Sequence, residues 1–217
     1  MLRPTIAYFT TDMWEGYVTA LEEFIAAHKN VTACLVIDRF HVAQQYRDDF
    51  DDLRKEEFNQ MKKTLPQQTY DQDCKGTLWL LRKNAADLDD EERIRLQRLF
   101  SHAPQLHQAY TCREELTALF NTVQTPKQAA TQLDHWIQKA QLRALKCYDG
   151  FIKTLRTHWQ PILNYFLARV NSGFVEGLNN KIKTIKRRCY GIRKISTLFQ
   201  RIWLDLEGLD RFFLSTP

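Results

Sequence analysis

From residue 42 to about residue 170 of this 217-residue chain no segment reads as a β-strand. More than any other feature, that stretch limits the available folds, because it leaves the middle of the protein to helices. Helix signals fill it in order. Asp89 with Glu92 makes a D-x-x-E capping pattern ahead of Ile94, Leu96 and Leu99. Pro104 and Pro126 suit first-turn positions, the second directly after Thr125 as N-cap. Ala129, Leu133, Trp136, Ile137 and Ala140 then form an apolar stripe. Pro66 and the polar run Gln67–Asp73 predict a loop, and the tryptophans (Trp14, Trp79, Trp136, Trp159 and Trp203) fall into helical stripes that predict mostly core positions. With only 7 glycines and 6 prolines, helix rather than coil should dominate.

Strand signals are confined to the front. Thr5–Phe9 is a short apolar, aromatic run that Thr10, Thr11 and Asp12 close. A helical pattern follows through Tyr17, Leu21, Phe24 and Ile25. Val31–Ile37 is a continuous β-branched run of the kind buried on both faces, and it too ends in an aspartate, Asp38, before Arg39, Phe40, His41 and a new helix. This β-α-β-α order implies a right-handed parallel crossover with Asp12 and Asp38 at the carboxyl ends of the strands, the edge where sites collect in open α/β sheets. Each aspartate equally suits a helix N-cap.

The stretch Asn171–Gly191 reads as a second organising element. Val175, Leu178, Ile182 and Ile185 fall on one helical face, and Glu176, Asn180, Lys183 and Arg187 on a neighbouring one. Asn171 or Ser172 can cap its start, and Gly191 suits its end. After Glu176 no acid occurs before Asp205, while Lys181, Lys183, Lys186, Arg187, Arg188, Arg193, Lys194 and Arg201 intervene. A single carboxylate heading a basic face suits a place where a metal ion meets a phosphate backbone. An amphipathic surface helix with a solvated basic side has the same pattern. A last helix runs from about Ile195 to Phe213 with Leu198, Ile202, Leu206, Leu209 and Phe212 facing inward.

Charge and cysteines narrow the function classes. The net charge of +5 is modest, but the basic residues concentrate in the last third, and a polyanion responds to local charge. Five scattered cysteines without a CxxC pair argue against a disulfide framework or structural zinc and for a reducing cytoplasm. No apolar run approaches about 18 residues, so no membrane span is expected. Walker, dinucleotide-binding and nucleophile-elbow motifs are missing from the sequence. Three acids then stand out: Asp12, Asp38 and Glu176. Two divalent ions about 3.5–4 Å apart, held by carboxylates, activate water and stabilise the leaving oxygen in phosphodiester cleavage. Magnesium needs only two or three carboxylates plus water. His41 suits either a metal ligand or a structural histidine at a strand–helix junction, and Trp14, beside Asp12, suits stacking on an unpaired base.

TDMWEGY (Thr11–Tyr17), VIDRFHVAQQ (Val36–Gln45), LLRKN (Leu80–Asn84) and NSGFVEGLNNKIKTIKRRCYG, in that order, resemble bacterial insertion-sequence transposases of the ISL-three family. The resemblance covers nearly the whole chain. It implies a ribonuclease-H-like fold with an Asp-Asp-Glu triad and a helical insertion before the glutamate. By the match, Asp12 corresponds to the second aspartate and Glu176 to the glutamate, both as ligands of Mg²⁺ or Mn²⁺, with Asp38, His41 and Asn180 supporting and Lys181, Lys183, Lys186, Arg187 and Arg188 gripping DNA. The family's first aspartate lies upstream of the TDMW-like block, so the chain is expected to be the carboxyl-terminal part of a transposase, inactive alone.

The expected architecture is α/β but mostly helical: a partial ribonuclease-H-like sheet with two parallel strands in residues 1–50, an all-helical insertion in 51–165 and the carboxyl-terminal helices of the catalytic core in 166–217. The expected function is transposition of insertion-sequence DNA in the bacterial cytoplasm, with transposon ends, a second copy or a full-length transposase as partners. The alternative is a non-catalytic basic helical DNA-binding remnant that associates with such a transposase.

Overall fold

A computed structural model describes residues 6–28, 32–189 and 194–213, without the side chains of residues 174, 175 and 207–213. Thr5, Val31, Gly191 and Arg193, and the side chains of Val175, Leu209 and Phe212, therefore lie outside the described residues. The chain divides into two compact units, Met1–Asn171 and Ser172–Pro217.

The first unit opens with strand β1 (Tyr8–Thr11), helix α1 (Glu15–Ala27), strand β2 (Cys34–Ile37) and helix α2 (Arg39–Thr64). The strands pair in parallel from Tyr8 opposite Cys34 to Thr11 opposite Ile37. The two parallel strands expected from the sequence are thus present, but β1 sits later than Thr5–Phe9. Thr10 and Thr11, read from the sequence as the strand's end, are in it and pair with Val36 and Ile37. Threonine is β-branched and fits a pleated strand, so the strand runs up to Asp12 itself. Leu35, Val36 and Ile37 are buried, as the continuous run in β2 requires. Val18 is the residue of α1 that reaches the core, with Leu21 and Ile25 packed against it, whereas Tyr17, expected to face inward, is exposed.

Helices α3 (Gln67–Asp73), α4 (Leu78–Arg82), α5 (Asp90–His102), α6 (Pro104–Asn121), α7 (Pro126–Leu142), α8 (Asp149–Thr157), α9 (Trp159–Leu163) and α10 (Tyr165–Ala168) complete this unit. Both capping boxes are formed: Asp89 accepts from the Glu92 amide at 2.8 Å, and Thr125 from the Gln128 amide at 3.3 Å. The loop expected over Gln67–Asp73 is instead α3. A Gln67–Asp71 side-chain bond of 3.0 Å and a Lys75–Asp71 ion pair, each four residues apart, support a polar helix that has no apolar stripe to announce it. Ile94 is exposed while Leu96 and Leu99 are buried.

Helix α2 is the spine of the unit. Val42, Ala43, Tyr46, Phe50 and Met61 bury one side of it, and α6 packs along it. Buried aromatic side chains satisfy their polar tips as burial demands. The Tyr148 hydroxyl donates to the Ala109 carbonyl at 2.8 Å, and the Trp136 indole N–H to the Cys112 carbonyl at 2.8 Å. The tryptophans do not all go inside: Trp136 is buried, but Trp14, Trp79 and Trp203 are exposed. Asn164 donates to the Leu35 carbonyl at 2.7 Å, tying the α9–α10 junction to the middle of β2. All five cysteines are free thiols. Among the described residues no helix is long and apolar enough to cross a membrane.

In the second unit, α11 (Gly173–Arg188) and α12 (Ile195–Phe213) follow the periodicity read from the sequence. Ile185 is buried and Leu178 and Ile182 are half-buried on one face of α11, while Glu176, Asn180, Lys183 and Arg187 are exposed on another. On α12, Leu198 and Ile202 are half-buried, but Leu206 is exposed.

Candidate functional site

The carboxyl edge of the two-stranded sheet puts Asp12 and Asp38 next to each other in the ladder, because the Asp38 amide donates to the Thr11 carbonyl at 2.9 Å. Their side chains do different things. Asp38 is 2% exposed and caps α2, accepting from the Phe40 amide at 2.9 Å. That is the N-cap alternative realised, with the carboxylate buried at a helix N-terminus where its charge is favoured. Asp12 is half-buried and accepts only from the Trp14 amide, at 3.0 Å, among the described residues. One of its oxygens remains for another partner.

Asp12 opens onto a shallow groove of about 290 Å³. Met13 and Trp14 form one wall, and His41, Gln44, Gln45 and Asp48 form the other. These four residues follow at helical steps of three and four, so one face of α2 supplies the wall. Gln45 is held by a 3.0 Å bond to the Thr154 hydroxyl, Gln44 is exposed, and His41 packs its ring edge-to-face with Phe40. Sequence reasoning missed Asp48, although its spacing from His41 on α2 was legible. Asp38 does not line the groove; it fixes the start of the helix that does.

Trp14 overhangs this groove, 60% exposed, in edge-to-face contact with Tyr17 at 4.6 Å. The outer edge of its indole lies against Gly16: a Cβ placed there would stand 2.6 Å from the ring. Only glycine leaves room for this aromatic shelf beside an acidic group.

Besides the His41 imidazole, the groove's donors are carboxylates and amides, whose oxygens are the hard ligands that magnesium takes together with water. Among the described residues no three acid, histidine or cysteine side chains converge on one point. The donor chemistry of Asp12 and its neighbours fits a partly hydrated divalent ion and not a fully protein-caged one.

Glu176 stands in the first turn of α11, exposed, and Lys186, Arg187 and Arg188 fill the last turn. The arrangement follows the helix dipole, acid at the amino end and bases at the carboxyl end. Asn180, Lys183, Lys186, Arg187 and Arg188 are all exposed. Lys181 is not free as the sequence suggested: its ammonium pairs with the Asp205 carboxylate at 3.4 Å and with the Asp205 carbonyl at 3.1 Å. One of the basic residues of α11 is therefore partly neutralised within its own unit.

The family model described as "Transposase", that of the ISL3 DDE transposases, matches residues 2–202, and the chain belongs to that family. It is similar to the transposase for insertion sequence element IS1001 of Bordetella parapertussis, with 34% identity over 194 residues. That match takes in 89% of this chain and 47% of the relative, so the chain spans about half the relative's length. No solved structure matches it. DDE transposases generally use divalent metal ions and act on DNA.

Proposed function

We propose that this chain forms part of the catalytic domain of a DDE transposase that cleaves and joins insertion-sequence DNA in the bacterial cytoplasm. The observation that carries the reading is Asp12, left partly open on the carboxyl edge of a parallel sheet and facing a groove of oxygen donors. Asp12 takes the role of the family's second aspartate and Glu176 that of its glutamate, each giving a carboxylate to Mg²⁺ or Mn²⁺. The bound ion would supply charge neutralisation at a phosphodiester. Asp38 anchors the edge, and His41 with Asp48 shapes the groove wall. Asn180 supports the acid-bearing face of α11. Residues 1–50 represent a partial ribonuclease-H-like sheet region, 51–165 its helical insertion and 166–217 the closing helices.

The exposed cations Lys183, Lys186, Arg187 and Arg188 grip phosphates, and Trp14 offers a stacking face for an unpaired base near the metal-binding acid. Duplex binding followed by fluorescence anisotropy from about 50 to about 300 mM salt tests the DNA reading. Affinity should fall by about 0.9 log units per phosphate contact per log unit of salt. A Lys183→Ala/Arg187→Ala double variant should lose about two contacts' worth of that slope. A flat salt dependence in the unaltered chain sinks the proposal.

A further inference from the structure

Beyond the groove, α2 shapes a second recess. We propose that this cleft, lined by Arg47 and Arg54 of α2 and Arg82 of the LLRKN segment, is a further binding site for a DNA phosphate backbone, separate from the basic face of α11. The inference rests on the transposase reading for the identity of its ligand. The cleft has a volume of about 420 Å³, and Asp48 lines both it and the Asp12 groove, so the two recesses adjoin. From Gln44 in the groove to Asp51 in the cleft is seven residues, about 10 Å along a helix. A strand rises about 3.4 Å per nucleotide, so this offset suits a backbone leaving the groove and reaching the cleft about three nucleotides on.

The charges of the cleft do not cancel. Four guanidiniums, from Arg47, Arg54, Arg82 and Arg113, meet two carboxylates, from Asp48 and Asp51. Arg54 is committed to Asp51 at 2.7 Å. Arg113, 5% exposed, is committed to the carbonyls of Leu81 and Lys83 and to Glu114. Arg47 and Arg82 are exposed and have no ion pair among the described residues. The guanidinium of Arg82 instead lies over the ring of Trp79, which is 68% exposed. An arginine held against an aromatic face keeps its donors pre-oriented, and a planar fork of donors matches phosphate oxygens two at a time.

The LLRKN segment is built to present these groups. Leu80 and Leu81 are buried and anchor it, and Arg113 clasps its carbonyls from beneath, acting as a positioning residue. Arg82 and Asn84 then face the cleft. That gives a physical role to a segment which in the sequence stood out by family resemblance alone.

The test uses the unaltered chain first. Phenylglyoxal modification of arginines, read by mass spectrometry with and without a DNA duplex, should show Arg47 and Arg82 protected and Arg98, exposed on α5, unprotected. An Arg47→Gln/Arg82→Gln variant should keep its helical circular dichroism and bind duplexes of any sequence more weakly. Its salt slope should be shallower by about two contacts, or about 1.8. Equal modification of Arg47 and Arg82 with and without DNA overturns the proposal. If the unaltered chain binds DNA with steep salt dependence and that result is found, the cleft falls alone. If the unaltered chain does not bind DNA, the transposase reading falls with it.

Discussion

The backbone amide of Asp38 donates to the carbonyl of Thr11 at 2.9 Å, the last rung that joins the two strands. It places two aspartates at one sheet edge with opposite fates, Asp38 buried as a helix cap and Asp12 open to a groove. Asp38→Ala should therefore destabilise the protein by about 1–2 kcal/mol, the usual cost of a lost N-cap. Asp12→Asn should change stability by less than about 0.5 kcal/mol, as surface substitutions do. Urea midpoints of the two variants measure both. Equal destabilisation would mean that Asp12 is structural too.

Gly16 and Trp14 separate stability from binding. Alanine at an exposed helical position is favoured over glycine by about 1 kcal/mol, so Gly16→Ala should be neutral or stabilising. Its methyl group would displace the indole, which stands 2.6 Å from that position. The same variant, like Trp14→Ala, should lose affinity for DNA carrying an unpaired base, by about 1–3 kcal/mol for a lost stack. Blunt duplex binding should change little. Unchanged affinity for gapped DNA in both variants would remove Trp14 from the site.

Asp49 gives the fold a pH dependence. Burial first, then the neighbouring Asp52 and Asp48, push its carboxyl up from 3.8 to about 6. One of its oxygens is buried without a partner among the described residues, beside a cavity that Asp52, Glu56 and Cys147 also line. A raised folded-state value means the folded protein holds the proton more tightly than the unfolded one. Its contribution is complete below the unfolded value and is lost as pH rises through about 6. Allowing for solvent screening, stability should drop by about 1–2 kcal/mol between pH 4 and 7 from this group. Asp49→Asn should flatten that slope in denaturant titrations across the range. An unaltered slope would reassign it to other groups.

Arg113 is the buried cation on which the LLRKN segment rests. Its guanidinium lies over the rings of Phe50 and Tyr110, 4.9 and 4.5 Å from their centroids. Removing one partner of a buried ionic network leaves the others unpaired, at about 3–5 kcal/mol. Arg113→Ala should lower the unfolding free energy by that amount, and Arg113→Lys should recover little, since an ammonium lacks the fork that spans two carbonyls. A loss below about 1 kcal/mol would show that the network is not what holds the segment.

What was legible in the sequence was local. The capping box at Asp89 and the N-cap at Thr125 depend on residues close in sequence and appear in the structure as read, Gln128 turning the second into a full box as well. The stripe from Ala129 to Ala140 is buried because 3.6-residue periodicity is a property of one helix. The boundary of β1 was misplaced because pairing with Val36 and Ile37, not composition, recruits Thr10 and Thr11. Helix α3 was missed because its support comes from polar pairs. In the site, Asp12 was visible as an acid ending a strand, but Asp48 reaches the groove only because α2 runs past that edge. The burial of Arg113 and the pairing of Lys181 with Asp205 depend on partners 30 and 24 residues away. No local pattern announces them.

The proposed function assigns Asp12 and Glu176 as ligands for divalent metal. Iron-directed hydroxyl-radical cleavage tests it most directly, since Fe²⁺ in a magnesium site cuts the backbone beside its ligands. The expected result is cleavage next to Asp12 and next to Glu176, suppressed at each by excess Mg²⁺, lost at the first in Asp12→Asn and at the second in Glu176→Gln. Cleavage at neither residue, or cleavage that Asp12→Asn and Glu176→Gln leave unchanged, would contradict that assignment.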